Sequence, residues 1–374
     1  MERGSYTEEM PCFLLSRSSG ILSSSRQDIL STLTKERFSR MEVFSQTASE
    51  PQRSSGFIQR HPVFCYFFLA YAISWLGWLP MVLAHNGLGL LPFRLPLAAI
   101  AAGAFGPIVS GFLCTARTSG KAGLRQFLRR FLLWRVGIQW YVFAFLGLPA
   151  LLCLGTLVIV PGALATVRLS TLPSILLLYA GFFVYQLFMS PLFEEPGWRG
   201  FALPRLQESY GAFKGTLILG VFWAGWHFPL FLIPAYSRQV SYGTGPGLSG
   251  IAIPFGLFAL GIVAATIIMS WAFNHTRASL LLAMLIHSSN DSFPLASLFP
   301  QMAIGDQRRL AMLIGYGALA LILLAVSRGK LGYQSSRASK LEQGATGEDQ
   351  REGREQAVGS SSLNGPPGRG PTVC

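Results

Sequence analysis

The chain has 374 residues, of which 51% are hydrophobic and 13% charged, with a mean hydropathy of +0.43. Soluble domains carry about 25% charged residues, so this composition excludes an ordinary soluble enzyme and calls for repeated membrane spans. A net charge of +13 would suit nucleic acid, but the Lys and Arg residues lie in loops and tails between apolar runs, the layout of topology signals at an anionic membrane face. The expected partners are therefore membrane lipid and a protein or peptide substrate, with no nucleic acid.

Residues 1–60 are rich in Ser and Arg and have no sustained apolar period; they read as a disordered polar extension. They lack the basic start, apolar core and small-residue cleavage site of a signal peptide, and Met41 is an alternative start. Eight spans follow, at roughly 62–84, 95–115, 137–160, 173–194, 215–235, 250–273, 278–299 and 310–327. Most have around 20 residues, enough for a hydrocarbon core of about 30 Å. Pro80, Gly103, Pro107, Gly147 and Pro149 fall inside them, as membrane helices tolerate. The predicted fold is an all-α polytopic bundle over 61–327, followed by a disordered tail over 328–374.

Charge orients this bundle. With the N-terminus in the cytoplasm, 25 of the 30 Lys and Arg residues fall on the cytoplasmic side, leaving Arg94, Arg168, Arg238, Arg308 and Arg309 opposite. That asymmetry predicts both termini inside. The stretch 121–135, KAGLRQFLRRFLLWR, reads as a basic amphipathic helix on the cytoplasmic membrane face.

Five cysteines show no metal-ligand spacing and imply no disulfide framework. Cys65, Cys114 and Cys153 lie in or beside apolar runs, where a thiol behaves as a small hydrophobe. Cys374 is the last residue, so it is not a prenylation box.

The chemistry is concentrated in a few groups. Between residues 61 and 305 the only acids are Glu194, Glu195, Glu208 and Asp291, and His227 and His287 lie in further apolar runs. An ionisable group at a membrane helix centre costs about 2.5–3.5 kcal/mol even on the lenient insertion scale. In FEEPGWRG, Glu195 and Arg199 are i,i+4 neighbours and can pair, while Glu194 points about 100° away and is available to a water. Pro196 and Gly197 predict a kink. Taken alone, this could be a boundary salt bridge. His227, in WAGWH, could be satisfied by a backbone carbonyl or serve as polar glue between helices. In HSSND, either Asn290 or Asp291 is placed to orient the His287 ring. His61, His85 and His275 lie at span ends. Unpaired polar groups at such depth are costly, so the three elements are expected to meet.

The order Glu-Glu-x-x-x-Arg, aromatic-x-x-x-His and His-x-x-x-Asn/Asp, each in its own span, resembles the CPBP family. These are the CAAX-processing and bacteriocin-processing (Abi) intramembrane endopeptidases, related to the Rce1-type CAAX protease. The resemblance covers roughly 62–327 and is densest over EEPGWRGFALPRLQ, GTLILGVFWAGWHFPLF and around His287; it suggests a bacterial branch and hence a bacterial cell membrane. It implies Glu194 as the water-activating base, Glu195 as its partner and Arg199 as a carboxylate holder. His227 and His287 would stabilise the oxyanion or, with Glu194, bind a divalent metal such as zinc, and Asp291 stands where the family often has Asn. Trp223 departs from the Phe often found four residues before the first His.

The leading expectation is peptide-bond hydrolysis. Glu194 deprotonates a water held by His227, and His287, oriented by Asp291 or Asn290, stabilises the oxyanion. Two His and a Glu would make a plausible zinc set, but there is no local His-Glu-x-x-His motif. The competing expectation is a non-proteolytic membrane protein, either a proton-coupled transporter or a peptide-binding immunity or scaffold protein. No internal repeat between the halves supports the transporter.

Overall fold

A computed structural model describes residues 56–233, 249–303 and 307–335. These described residues all fall in one unit. The alternative start at Met41 and nearly all of the expected N-terminal extension lie outside the described residues. The expected C-terminal tail does too, apart from its first eight residues.

The described residues are helical, as expected. The main helices are α1 (Pro62–Leu83), α2 (Gly106–Arg129), α3 (Leu148–Ile159), α4 (Leu172–Met189), α5 (Pro191–Glu195), α6 (Leu203–Tyr210), α7 (Ala212–Trp226), α8 (Ser249–His275), α9 (Leu280–Ser292) and α10 (Gln307–Ser327). A π-helical segment, Pro196–Ala202, joins α5 to α6.

Seven helical stretches among the described residues are long and apolar enough to cross a membrane: Pro62–Leu83, Leu97–Leu132, Ile138–Ile159, Leu169–Tyr210, Ala212–Leu232, Ile251–His275 and Gln307–Ser327. They match seven of the eight expected spans, and the chain is a multi-pass membrane protein. The eighth, expected at 278–299, differs. There α9 has 13 residues, or about 20 Å at 1.5 Å per residue. It stops because Phe293 precedes Pro294, whose ring drives the preceding residue out of the helical region. Phe293 has φ −67° and ψ 117°, and a one-turn helix, Leu295–Leu298, follows.

The site helices lie at the centre of the bundle. The α5 helix and the π segment pack against α2, α9 packs on α4 and α5, and α7 lies against α6 and α8. Trp78, Trp198, Trp223 and Trp226 fill the space around them and are nearly fully buried. Close approach of α2 to the π segment requires Gly197, where a Cβ would stand 2.4 Å from the Pro107 carbonyl oxygen and 2.5 Å from the Tyr66 hydroxyl.

The first residues of the expected tail are held in place. Leu331 is buried, its carbonyl accepts from Asn274 Nδ2 at 3.0 Å, and the Tyr333 hydroxyl donates to Glu208.

Candidate active site

The helix carrying the two glutamates is broken just before them. Pro191 has no N–H to continue α4 and disfavours a helical Ser190. Ser190 takes φ −131° and ψ −69°, and α5 restarts with Pro191 at its first turn. The sequence predicted a kink at Pro196–Gly197. The structure has a break at Ser190 and π-helical winding from Pro196 to Ala202, a local form frequent at functional sites.

The Ser190 hydroxyl is thereby turned toward the acids. It donates to Glu194 Oε1 at 2.8 Å and lies 3.2 Å from Asp291 Oδ2. The other oxygen of Glu194, Oε2, accepts from Trp223 Nε1 at 2.7 Å. Glu194 is 4% exposed. Both of its oxygens are thus oriented by neutral donors, and each keeps a further lone pair.

Glu195 has a different environment. Its Oε1 accepts from Arg199 Nη1 and from His287 Nδ1, both at 2.8 Å. Glu195 and Arg199 are fully buried. The Arg199 guanidinium stacks 4.1 Å over the Trp223 ring, and its Nη2 is 3.4 Å from Met269 Sδ. The i,i+4 pairing expected from sequence is present, and the long-range partner His287 joins it.

His287 is buried, with carboxylates at both nitrogens: Glu195 at Nδ1 and Asp291 Oδ2 at 3.3 Å from Nε2. Asn290 and Asp291 were alternative orienting groups, and the contact falls to Asp291. Asn290 acts one step further out, donating from Nδ2 to Asp291 Oδ1 at 2.9 Å while its own Oδ1 accepts from the Tyr316 hydroxyl at 2.7 Å.

His227 ends α7. Its Nδ1 is 2.8 Å from the Trp223 carbonyl oxygen. That oxygen can only accept, so Nδ1 carries the proton and Nε2 of the neutral ring is an acceptor. The ring is edge-on to Phe258 at 5.1 Å. His61, His85 and His275 are not brought to the cluster by any contact seen among the described residues.

Three residues matter more here than their sequence context suggested. Trp223 stood out only as a departure from the family pattern. It orients Glu194 through Nε1, supports Arg199 with its face, meets the His287 ring at 5.2 Å and nearly perpendicular, and fixes His227 through its backbone. A tryptophan N–H buried among apolar helices needs an acceptor, and that was the available clue. Ser190 carried a clue in the Ser-Pro pair within an apolar run. Tyr316 carried none.

The expected metal set of Glu194, His227 and His287 does not form. Among the described residues, no three His, Cys, Asp or Glu side chains are grouped to hold a metal ion. The physical reason is that His287 has a carboxylate at each ring nitrogen.

Residues 176–293 match the family model for the type II CAAX prenyl endopeptidase, Rce1-like. That range runs from within α4 to the end of α9 and takes in every acid and histidine of the cluster. The chain is also 28% identical over 235 residues to CAAX prenyl protease 2 of Methanococcus maripaludis, covering 59% of this chain and 80% of that protein. The chain is similar to the CPBP/Rce1-type family over this region. That similarity supports an intramembrane protease, and the buried acid–histidine cluster lies within the family-matching region.

Proposed function

We propose that this CPBP-type protease hydrolyses a peptide bond in a membrane-associated or membrane-delivered protein, with Glu194 as general base. One contrast between the two glutamates carries the reading. Glu195 is committed to a buried cation and an imidazole, whereas Glu194 is held by neutral N–H and O–H donors that orient it without adding a counter-charge. A carboxylate so placed is suited to accept a proton from water.

In this mechanism, one O–H of the attacking water donates a hydrogen bond to His227 Nε2 and keeps its proton, and Glu194 takes the proton of the other O–H. The water oxygen forms a bond to the scissile carbonyl carbon, whose oxygen becomes the oxyanion. His287 Nε2–H stabilises that charge, exchanging its 3.3 Å contact with Asp291, the longest contact its ring makes to a carboxylate, for the oxyanion. Collapse breaks the carbon–nitrogen bond, and Glu194 returns its proton to the leaving nitrogen. Glu195 and Arg199 hold the His287 ring, and Asn290 and Tyr316 hold Asp291. No step passes through a metal.

The name of the methanogen relative brings prenylated CAAX tails into the substrate set to be tested. Cells expressing the wild type and Glu194→Ala at equal membrane levels should differ in a defined set of protein N- or C-termini, which would name the substrates. An identical set of termini, with both proteins folded and inserted, would overturn the proposal.

A further inference from the structure

The amphipathic stretch 121–135 contains a feature the protease mechanism does not use. At Gly120 the chain takes φ +57° and ψ −157°, a conformation that favours glycine, and the α2 axis is broken there. Beyond the break, Lys121, Arg125 and Arg129 form one row at four-residue spacing, and Leu124, Leu128 and Leu132 form a second. Together these six residues line a single shallow groove. The three basic residues are exposed, as are Leu128 and Leu132, at 46% and 74%. Phe127, on the opposite side of the turn, is buried in the core and fixes which face points outward.

We propose that this groove is a seat for an anionic phospholipid, with the acyl chain along the leucine row and the phosphate on the basic row. Charge complementarity and the pairing of the two rows favour this occupant. A zwitterionic lipid would use the leucines and gain little from three cations, and an acidic soluble peptide would leave the leucines in water. Each Lys or Arg near an anionic bilayer surface strengthens association by about fivefold.

The seat is tied to the catalytic helices. Arg130 Nη1 donates to the Gly200 carbonyl at 3.0 Å, within the π segment that carries Arg199. Ser279, the N-cap of the helix that carries His287, donates from its hydroxyl to the Leu133 carbonyl at 2.6 Å. Arg277 donates to the Arg135 carbonyl.

The test uses the full-length protein in bilayers of phosphatidylcholine with and without phosphatidylglycerol, reading the relative association of each lipid by spin label and by native mass spectrometry. Wild type should retain phosphatidylglycerol preferentially. The triple variant Lys121→Gln, Arg125→Gln, Arg129→Gln should lose at least fivefold of that preference. A control with the same charge removed elsewhere, Arg94→Gln, Arg328→Gln, Lys330→Gln, should keep it. Equal loss in both variants would reduce the effect to net charge and overturn the proposal, as would no preference in wild type. Should the triple variant not fold, Arg125→Gln and Arg129→Gln made singly should each lower the preference, and no change in either would count against the seat. None of these readouts depends on proteolysis.

Discussion

The indole N–H of Trp223 donates to Glu194 at 2.7 Å, while the face of the same ring lies 4.1 Å beneath the Arg199 guanidinium. One side chain therefore orients the proposed base and supports the cation that holds the other glutamate. Trp223→Phe separates the two roles, because it keeps a ring under Arg199 and removes the N–H. A hydrogen bond to a charged group is worth about 1.5–3 kcal/mol. Turnover should fall about 10- to 100-fold while the thermal midpoint changes little. An equal loss in turnover and stability would mean that the ring, and not its N–H, is what matters.

The two glutamates should respond differently to neutralisation. Glu194→Gln keeps the shape of a group surrounded by neutral donors, so the protein should stay folded and lose turnover. Glu195→Gln leaves Arg199 buried without its counter-ion, a change worth about 3–5 kcal/mol. Paired unfolding and turnover measurements on the two variants check this, and comparable melting points would refute the division of labour.

Ser190→Ala removes the donor to Glu194 Oε1 at 2.8 Å and the contact with Asp291 at 3.2 Å. Losing a hydrogen bond to a charged acceptor predicts about a 10-fold drop in turnover. Ser190→Thr keeps a hydroxyl and should recover most of it. Failure of threonine to rescue would point to the backbone break as the important feature.

Tyr316, Asn290, Asp291 and His287 form a chain of contacts. Tyr316→Phe and Asn290→Ala should each slow turnover severalfold, and their combination should cost less than the product of the two. Residues in one network couple by about 0.5–3 kcal/mol. Strictly multiplicative effects in a double-mutant cycle would break the chain.

With a carboxylate at each ring nitrogen of His287, removal of divalent metal should leave turnover intact. Exhaustive chelation followed by metal analysis and assay is the check. A stoichiometric metal whose loss abolishes activity would require the cluster to rearrange before catalysis.

The parts of the site that were legible in the sequence follow helical periodicity. Glu195–Arg199 and His287–Asp291 are both four apart, and both contacts are present. The apolar run lengths similarly placed seven spans, although the stretches Leu97–Leu132 and Leu169–Tyr210 run well past the expected ends at 115 and 194. Contacts that depend on how helices pack against one another were not legible. The Glu195–His287 bond joins residues 92 apart, and the direction of the Trp223 indole is set by α5 and α9 together. The shortness of α9 comes from one local rule, Pro294 acting on Phe293, which an apolar count over 278–299 averages away.

The Glu195–Arg199 pair also bears on biogenesis. These two charges leave the ribosome four residues apart and can neutralise one another within one helical turn, before α7 or α9 has been synthesised. Two fully buried ions of the bundle thus travel into the bilayer as a self-compensated unit. Glu194 must wait 29 residues for Trp223, and Glu195 must wait 92 for His287. Assembly of the reaction centre is accordingly a late event in maturation, so a chain interrupted between α7 and α9 would be inserted and charge-paired yet without its second histidine.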